Sequence, residues 1–163
     1  MSHADQLLTH NARFAETFPD SHLAVEPSLK LAIVACMDSR LDIFGALGLE
    51  LGEAHVIRNA GGVISDDVVR SLSISQRKLG TEEIVLIQHT DCGLLKVTDD
   101  GFRQELQDAT GIAPPFAIES FRDLDANVRQ SLGRLRASPF LLHRDKVRGF
   151  VFDVDTGRLR EVV

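Results

Sequence analysis

Two short runs, Leu31-Ala32-Ile33-Val34-Ala35 and Ile84-Val85-Leu86-Ile87, carry no polar side chain at any position. A strand with one wet face alternates apolar and polar residues, so an unbroken apolar run predicts a strand buried on both faces. Sheets covered on both faces are mainly parallel, because the crossover between parallel neighbours is usually a helix that packs on the sheet. Residues 31–36 and 83–88 are therefore read as the first and third strands, and His55-Val56-Ile57 as the second. A last strand is expected over 148–154, with Asp155-Thr156-Gly157 as a turn into the tail.

The intervening segments carry helix signals. Ser65-Asp66-Asp67 supplies acceptors for a helix start, and the helix should run through Val68, Val69, Leu72 and Leu79 and stop at Gly80. Further helices are expected over 99–109 and 120–136, separated by Gly111 and Pro114-Pro115, and a short apolar helix or turn over 43–49, ended by Gly52. Within residues 2–18, Leu7, Leu8, Phe14 and Phe18 fall on one side of an amphipathic helix, and Pro19, Asp20 and Pro27 break the chain before the first strand. The fold class expected is α/β: a mainly parallel sheet of four to five strands flanked by helices, in one domain spanning 1–163 with 1–27 as an N-terminal helical arm.

Composition narrows the function. A net charge of -6 argues against nucleic acid or an anionic membrane as the main partner. No apolar run approaches the length of a membrane span, and the N-terminus lacks the basic start and uninterrupted apolar middle of a signal peptide, so a cytoplasmic location is expected. Two cysteines are too few for a disulfide framework; they serve packing or site chemistry.

In parallel sheets, ligands bind beyond the carboxyl ends of the strands. Three polar clusters fall at such ends: Cys36-Met37-Asp38-Ser39-Arg40, Arg58-Asn59-Ala60-Gly61-Gly62 and His89-Thr90-Asp91-Cys92-Gly93. The thiols of Cys36 and Cys92 and the imidazole of His89 suit zinc, and three protein ligands leave a fourth position for water or substrate, as in catalytic sites. A His-x-x-Cys pair alone arises often by chance, and a free cysteine is commonly inert core. A Cys36–Cys92 disulfide or redox pair would leave His89 without a role; the three together favour metal. In extended chain Asp38 and Arg40 share a face with Cys36, while Met37 and Ser39 face away into packing and backbone contacts. Arg40 can grip Asp38 with two prongs and keep it ionised, leaving Asp38 to orient a metal-bound water; a plain surface ion pair is the bland alternative. His55 is a proton-shuttle candidate by position only.

Cys-Met-Asp-Ser-Arg, Arg-Asn-Ala-Gly and His-Thr-Asp-Cys-Gly, in this order and spacing, resemble the β-class carbonic anhydrases, closest to their short microbial members, from about Leu31 to the C-terminus. The resemblance implies Cys36, His89 and Cys92 as ligands of one Zn²⁺ per subunit, Asp38 and Arg40 as the catalytic dyad, and Gly61 and Gly62 as backbone amides near the metal. It further implies a homodimer or dimer multiple, with the N-terminal helix on the partner and the active cleft at the interface. The implied activity is reversible hydration of carbon dioxide to bicarbonate and a proton by zinc-bound hydroxide. In some β members the aspartate binds zinc at lower pH, and an associated bicarbonate site uses Trp and Tyr. This chain has neither residue, so an open site with the Asp38–Arg40 pair formed near neutral pH is expected. Two alternatives stand beside this reading. One is a carbonyl sulfide or carbon disulfide hydrolase on the same zinc site. The other is a zinc-binding structural or regulatory homologue, against which the presence of both Asp38 and Arg40 counts. A dinucleotide-binding domain is disfavoured, because no Gly-x-Gly-x-x-Gly follows the first strand.

Overall fold

The apolar runs become the middle of one sheet. β1 (Leu31–Cys36) lies between β2 (Ala54–Asn59) and β3 (Glu83–His89), both parallel to it, and β3 continues the sheet to β4 (Val147–Phe152), also parallel. A computed structural model describes residues 2–19 and 22–163; Asp20, expected within the chain break, lies outside them. Ala32 and Val34 face α3 (Asp66–Leu79) and α5 (Leu124–Ala137), packing with Val68, Leu72, Val128 and Leu132. Ile33 and Ala35 face the opposite layer, with Leu41, Ile43 of α2 (Ile43–Leu47), Phe121 and Phe152. Residues 32–36 are buried without exception, which is the physical reason the run is unbroken. Ile33 and Val34, fully buried there, each contribute about 1.5–3 kcal/mol relative to exposure.

Helix ends follow the local chemistry. The Ser65 hydroxyl accepts from the Val68 N–H, and Gly80 closes α3 in the left-handed conformation. α4 (Asp99–Thr110) is capped by Thr98 and ended by Gly111. The last strand ends at Phe152 rather than 154, and other elements also differ from expectation. α2 ends at Gly48, not Gly52, because Gly48 already takes the left-handed cap. α5 begins at Leu124 rather than 120: Glu119 adopts φ 62, Asp99 accepts from the N–H and hydroxyl of Ser120, and Asp123 makes the actual cap by accepting from the Ala126 N–H. The tail after Gly157 returns as β5 (Leu159–Val162), antiparallel to β4, so the sheet has five strands in the order β2-β1-β3-β4-β5. β5 is short and charged, as suits an edge, with Glu161 holding Arg148 of β4.

α1 (His3–Thr17) has a full capping box between Ser2 and Asp5, yet none of its residues is buried. Leu7, Leu8, Phe14 and Phe18 are all exposed.

Candidate active site

The carboxyl ends of β1, β2 and β3 lie side by side, and the three polar clusters meet there. Cys36 ends β1, His89 ends β3, and Cys92 sits in the loop that follows, before a turn of 3₁₀ helix at Gly93–Leu95. All three are buried, and their ligand atoms lie within 4.8 Å of one another. Among the described residues this is the group of His, Cys, Asp and Glu side chains that can hold a metal ion.

The donors fit zinc on their own chemistry. His89 Nδ1 lies 2.8 Å from the Thr90 carbonyl, which can only accept, so the proton of the neutral ring sits on Nδ1. That leaves Nε2 with a free lone pair, and this atom is buried without a hydrogen-bond partner. The two thiols titrate as a pair. Cys36 is pulled down to about 4, chiefly by the hydrogen bond from Cys92, with His89 and the amides of Asp38 and Gly61 adding to it and burial opposing. The same hydrogen bond, with burial, pushes Cys92 far above the usual thiol range. Burial opposes a second proton on His89, but Cys36, the Thr90 carbonyl and Asp38 outweigh it and raise its pKa. The pocket thus favours positive charge among these three atoms, and a divalent ion supplies it. Two thiol sulfurs and one imidazole nitrogen form a donor set that would hold zinc and leave a fourth position for water.

Asp38 stands beside the ligands, its Oδ2 3.7 Å from His89 Nε2. It does not reach that place by strand alternation, because β1 ends at Cys36 and residues 39–40 form a turn. The turn folds Arg40 back: its backbone N–H and Nε both donate to Asp38 Oδ1 at 2.9 Å, and Nη2 donates to Oδ2 at 2.8 Å. These bonds hold the Asp38 carboxyl well below the usual carboxylate range. Met37 and Ser39, expected to face into packing and backbone contacts, are instead exposed, although the Met37 N–H still donates to the Asn59 carbonyl of β2 at 2.8 Å.

Gly61 and Gly62 are buried in the turn that follows β2. Asn59 pins their turn by accepting from the Val63 N–H and donating to the Val63 carbonyl. The Gly61 amide helps to hold the Cys36 thiol below its usual range. Gly62 has φ 61, and a Cβ there would lie 2.8 Å from the Cys36 nitrogen and 3.0 Å from the Ile87 carbonyl oxygen. Gly62→Ala should therefore lose about 2–4 kcal/mol from left-handed strain plus overpacking. Denaturant melts check this; a variant as stable as wild type would contradict the close approach.

Several contacts had no sequence signal. Arg58 donates from Nε to the Cys36 carbonyl at 2.9 Å and from Nη2 to the Asp38 carbonyl at 2.6 Å, bracing the turn. Asp91 accepts from Arg40 and meets Lys96. Both Arg58 and Asp91 belong to the quoted motifs, but nothing local reveals what they touch. His55 does not face the site: it lies near the start of β2, the opposite end from Asn59, and its Nδ1 is 2.8 Å from the Ser75 hydroxyl of α3. It serves helix–sheet packing. A largely apolar cavity of about 410 Å³ adjoins the ligand loop, lined by Gly93, Leu94, Val97, Phe102, Phe116 and Ile118 among others.

A mainly parallel α/β sheet carrying a Cys-His-Cys metal-competent centre beside an Asp–Arg pair defines a class of metal-dependent enzymes. The family profile described as "Carbonic anhydrase" matches residues 31–159. Beta-carbonic anhydrase 1 of Mycobacterium tuberculosis (strain ATCC 25618 / H37Rv) is 54% identical over 162 residues, 99% of either chain. A crystal structure of carbonic anhydrase from Streptococcus mutans superposes with a TM-score of 0.94 at 41% identity, covering 100% of this chain and 99% of that one. A carbon disulfide hydrolase of Acidithiobacillus thiooxidans is more distant, at 32% identity over 85% of this chain and 79% of its own. The chain belongs to the β-carbonic anhydrase family.

Proposed function

We propose that the protein catalyses reversible hydration of carbon dioxide to bicarbonate and a proton, with one Zn²⁺ per subunit held by Cys36, His89 and Cys92. The observation that carries this reading is the convergence of two thiols and an unpartnered buried imidazole nitrogen beside a carboxylate gripped by a guanidinium. Zinc bound there supplies an acidified water, available as a nucleophile near neutral pH.

Amide N–H groups of Asp38 and Gly61 at Cys36, and of Leu94 at Cys92, stabilise negative charge on the sulfurs. Asp38, kept ionised by Arg40, is an acceptor only, so it takes the hydrogen bond of the attacking oxygen and turns that oxygen's lone pair toward carbon dioxide. Arg40 fixes the rotation of the carboxylate through its two-pronged contact. The neighbouring apolar cavity suits a linear substrate without a dipole.

Carbonyl sulfide or carbon disulfide hydrolysis is the second reading. The apolar cavity would admit the sulfur analogues as readily, and a carbon disulfide hydrolase is among the relatives. The nearly full-length match to a β-carbonic anhydrase puts carbon dioxide first. Stopped-flow carbon dioxide hydration beside hydrogen sulfide release from both sulfur compounds decides; a much larger turnover on either sulfur compound would overturn the first reading.

The working unit in this reading is a homodimer or a multiple of it, with residues 1–27 as an arm of the one domain spanning 1–163. An isolated helix of about 15 residues is marginal in water, and α1 buries no residue against its own chain. A second copy that covers Leu7, Leu8, Phe14 and Phe18 supplies the missing burial. Phe14→Glu should shift the protein toward monomer in sedimentation velocity; a wild-type monomer at micromolar concentration would sink the dimer. Two thiols that must stay reduced to bind metal fit the cytoplasm. Among the described residues no helix is long and apolar enough to cross a membrane.

A further inference from the structure

We propose that Asp91, braced by Lys96, is a positioning residue: it holds Arg40 so that Arg40 holds Asp38 beside the metal ligands. The inference rests on the roles given to Asp38 and Arg40 above.

An exposed Arg–Asp contact standing alone holds neither side chain firmly, because long side chains lose entropy on pairing and water competes. Arg40 does not stand alone. While Nε and Nη2 grip Asp38, Nη1 donates to Asp91 Oδ2 at 3.0 Å and Nη2 also donates to the Asp91 carbonyl at 3.1 Å. The guanidinium is therefore held on two sides, which stops it from swinging into solvent. The remaining Asp91 oxygen, Oδ1, lies 2.6 Å from Lys96 Nζ. Charges alternate along the chain Asp38, Arg40, Asp91 and Lys96, so each link favours the next.

The placement matters as much as the contacts. Asp91 lies between His89 and Cys92, on the loop that carries both of those ligands. The β1–β3 ladder ends at Ala35 and Ile87, short of that loop. Beyond it, Arg40 ties the Cys36–Asp38 end of β1 to the His89–Cys92 loop. Asp91 also has φ 53, a left-handed conformation that Asp, Asn and Gly tolerate and most residues do not. This selects the informative variants. Asp91→Gly keeps the backbone and its carbonyl contact while deleting the side chain. Asp91→Asn keeps shape and backbone but offers one oxygen acceptor and no charge. Lys96→Met removes the brace without touching the loop conformation.

The test uses the zinc-loaded protein and two readouts. The first is water exchange of the Arg40 Nε–H by NMR, assigned by its loss in Arg40→Lys. The second is kcat and KM for carbon dioxide hydration at matched zinc content. In Asp91→Gly we expect Nε–H exchange to rise about tenfold or more and kcat to fall about tenfold, with KM within about twofold, in line with outer partners of metal sites. Asp91→Asn should fall between Asp91→Gly and wild type, and Lys96→Met should show the smallest change. Exchange and kcat both as in wild type would overturn the inference, as would faster exchange with unchanged kcat. A loss of activity that only follows loss of zinc would overturn it too, since that is a merely structural role. Should Asp91→Gly not fold, Asp91→Asn answers the same question on the same backbone. If wild type fails to hydrate carbon dioxide, the functional reading falls; the Arg40 exchange then decides the hold of Asp91 by itself, unchanged exchange refuting it and faster exchange supporting it.

Discussion

Cys92→Ser is expected to lose zinc and activity together. The residue is buried, and its sulfur lies within 4.8 Å of the Cys36 sulfur and the His89 ring nitrogen. A serine hydroxyl stays protonated near neutral pH, is a poor partner for a borderline-soft metal, and reaches less far than a thiol. Two ligands, Cys36 and His89, cannot hold the ion against dilution. Colorimetric zinc analysis should fall from about one ion per subunit to a small fraction, and stopped-flow hydration should drop at least about a thousandfold, because the acceleration depends on the acidified nucleophile. The swap is nearly isosteric, so the variant should still fold, and circular dichroism checks this. Full zinc with full activity in Cys92→Ser would remove Cys92 from the site and with it the assignment of the centre.

Asp38→Asn should separate chemistry from metal binding. The amide keeps the shape of the carboxylate, and the three ligands are untouched, so zinc content should stay at the wild-type level. What goes is the charge that Arg40 stabilises and the acceptor-only character of the group. An Asn can turn its NH₂ toward the attacking oxygen and leave it misaligned. We expect kcat to fall about 10²- to 10⁴-fold, the range for positioned groups that handle a proton in the transition state. A variant with full zinc and undiminished kcat at neutral pH would show that Asp38 only packs beside the metal.

Much of this site is legible along the chain. Cys36, Asp38 and Arg40 follow the first apolar run, and His89 and Cys92 follow the second. A run buried on both faces must end somewhere polar, and parallel strands put those ends on one edge. The α3 limits are equally local, since Ser65 and Gly80 act on their own helix termini. The start of α5 was not legible, because Asp99 draws Ser120 out of helical conformation from across the surface. β5 was missed for a similar reason: a short charged segment becomes a strand only when β4 offers an edge.

By itself, then, the sequence determined which residues are the candidates for the chemistry, that a parallel sheet presents them, and which family pattern they match. Tertiary structure decided how they meet. Pairing β1 directly with β3 brings Cys36 within reach of His89 and Cys92. A turn, not strand alternation, folds Arg40 onto Asp38, while Arg58 braces two backbone carbonyls and Asp91 in its left-handed conformation catches the far side of Arg40. The division has one physical cause. Buried runs, helix caps and the Asp38–Arg40 turn are set by near neighbours, whereas the contacts of Arg58 and Asp91 join residues some 20 to 50 positions apart, which only the packed sheet brings together.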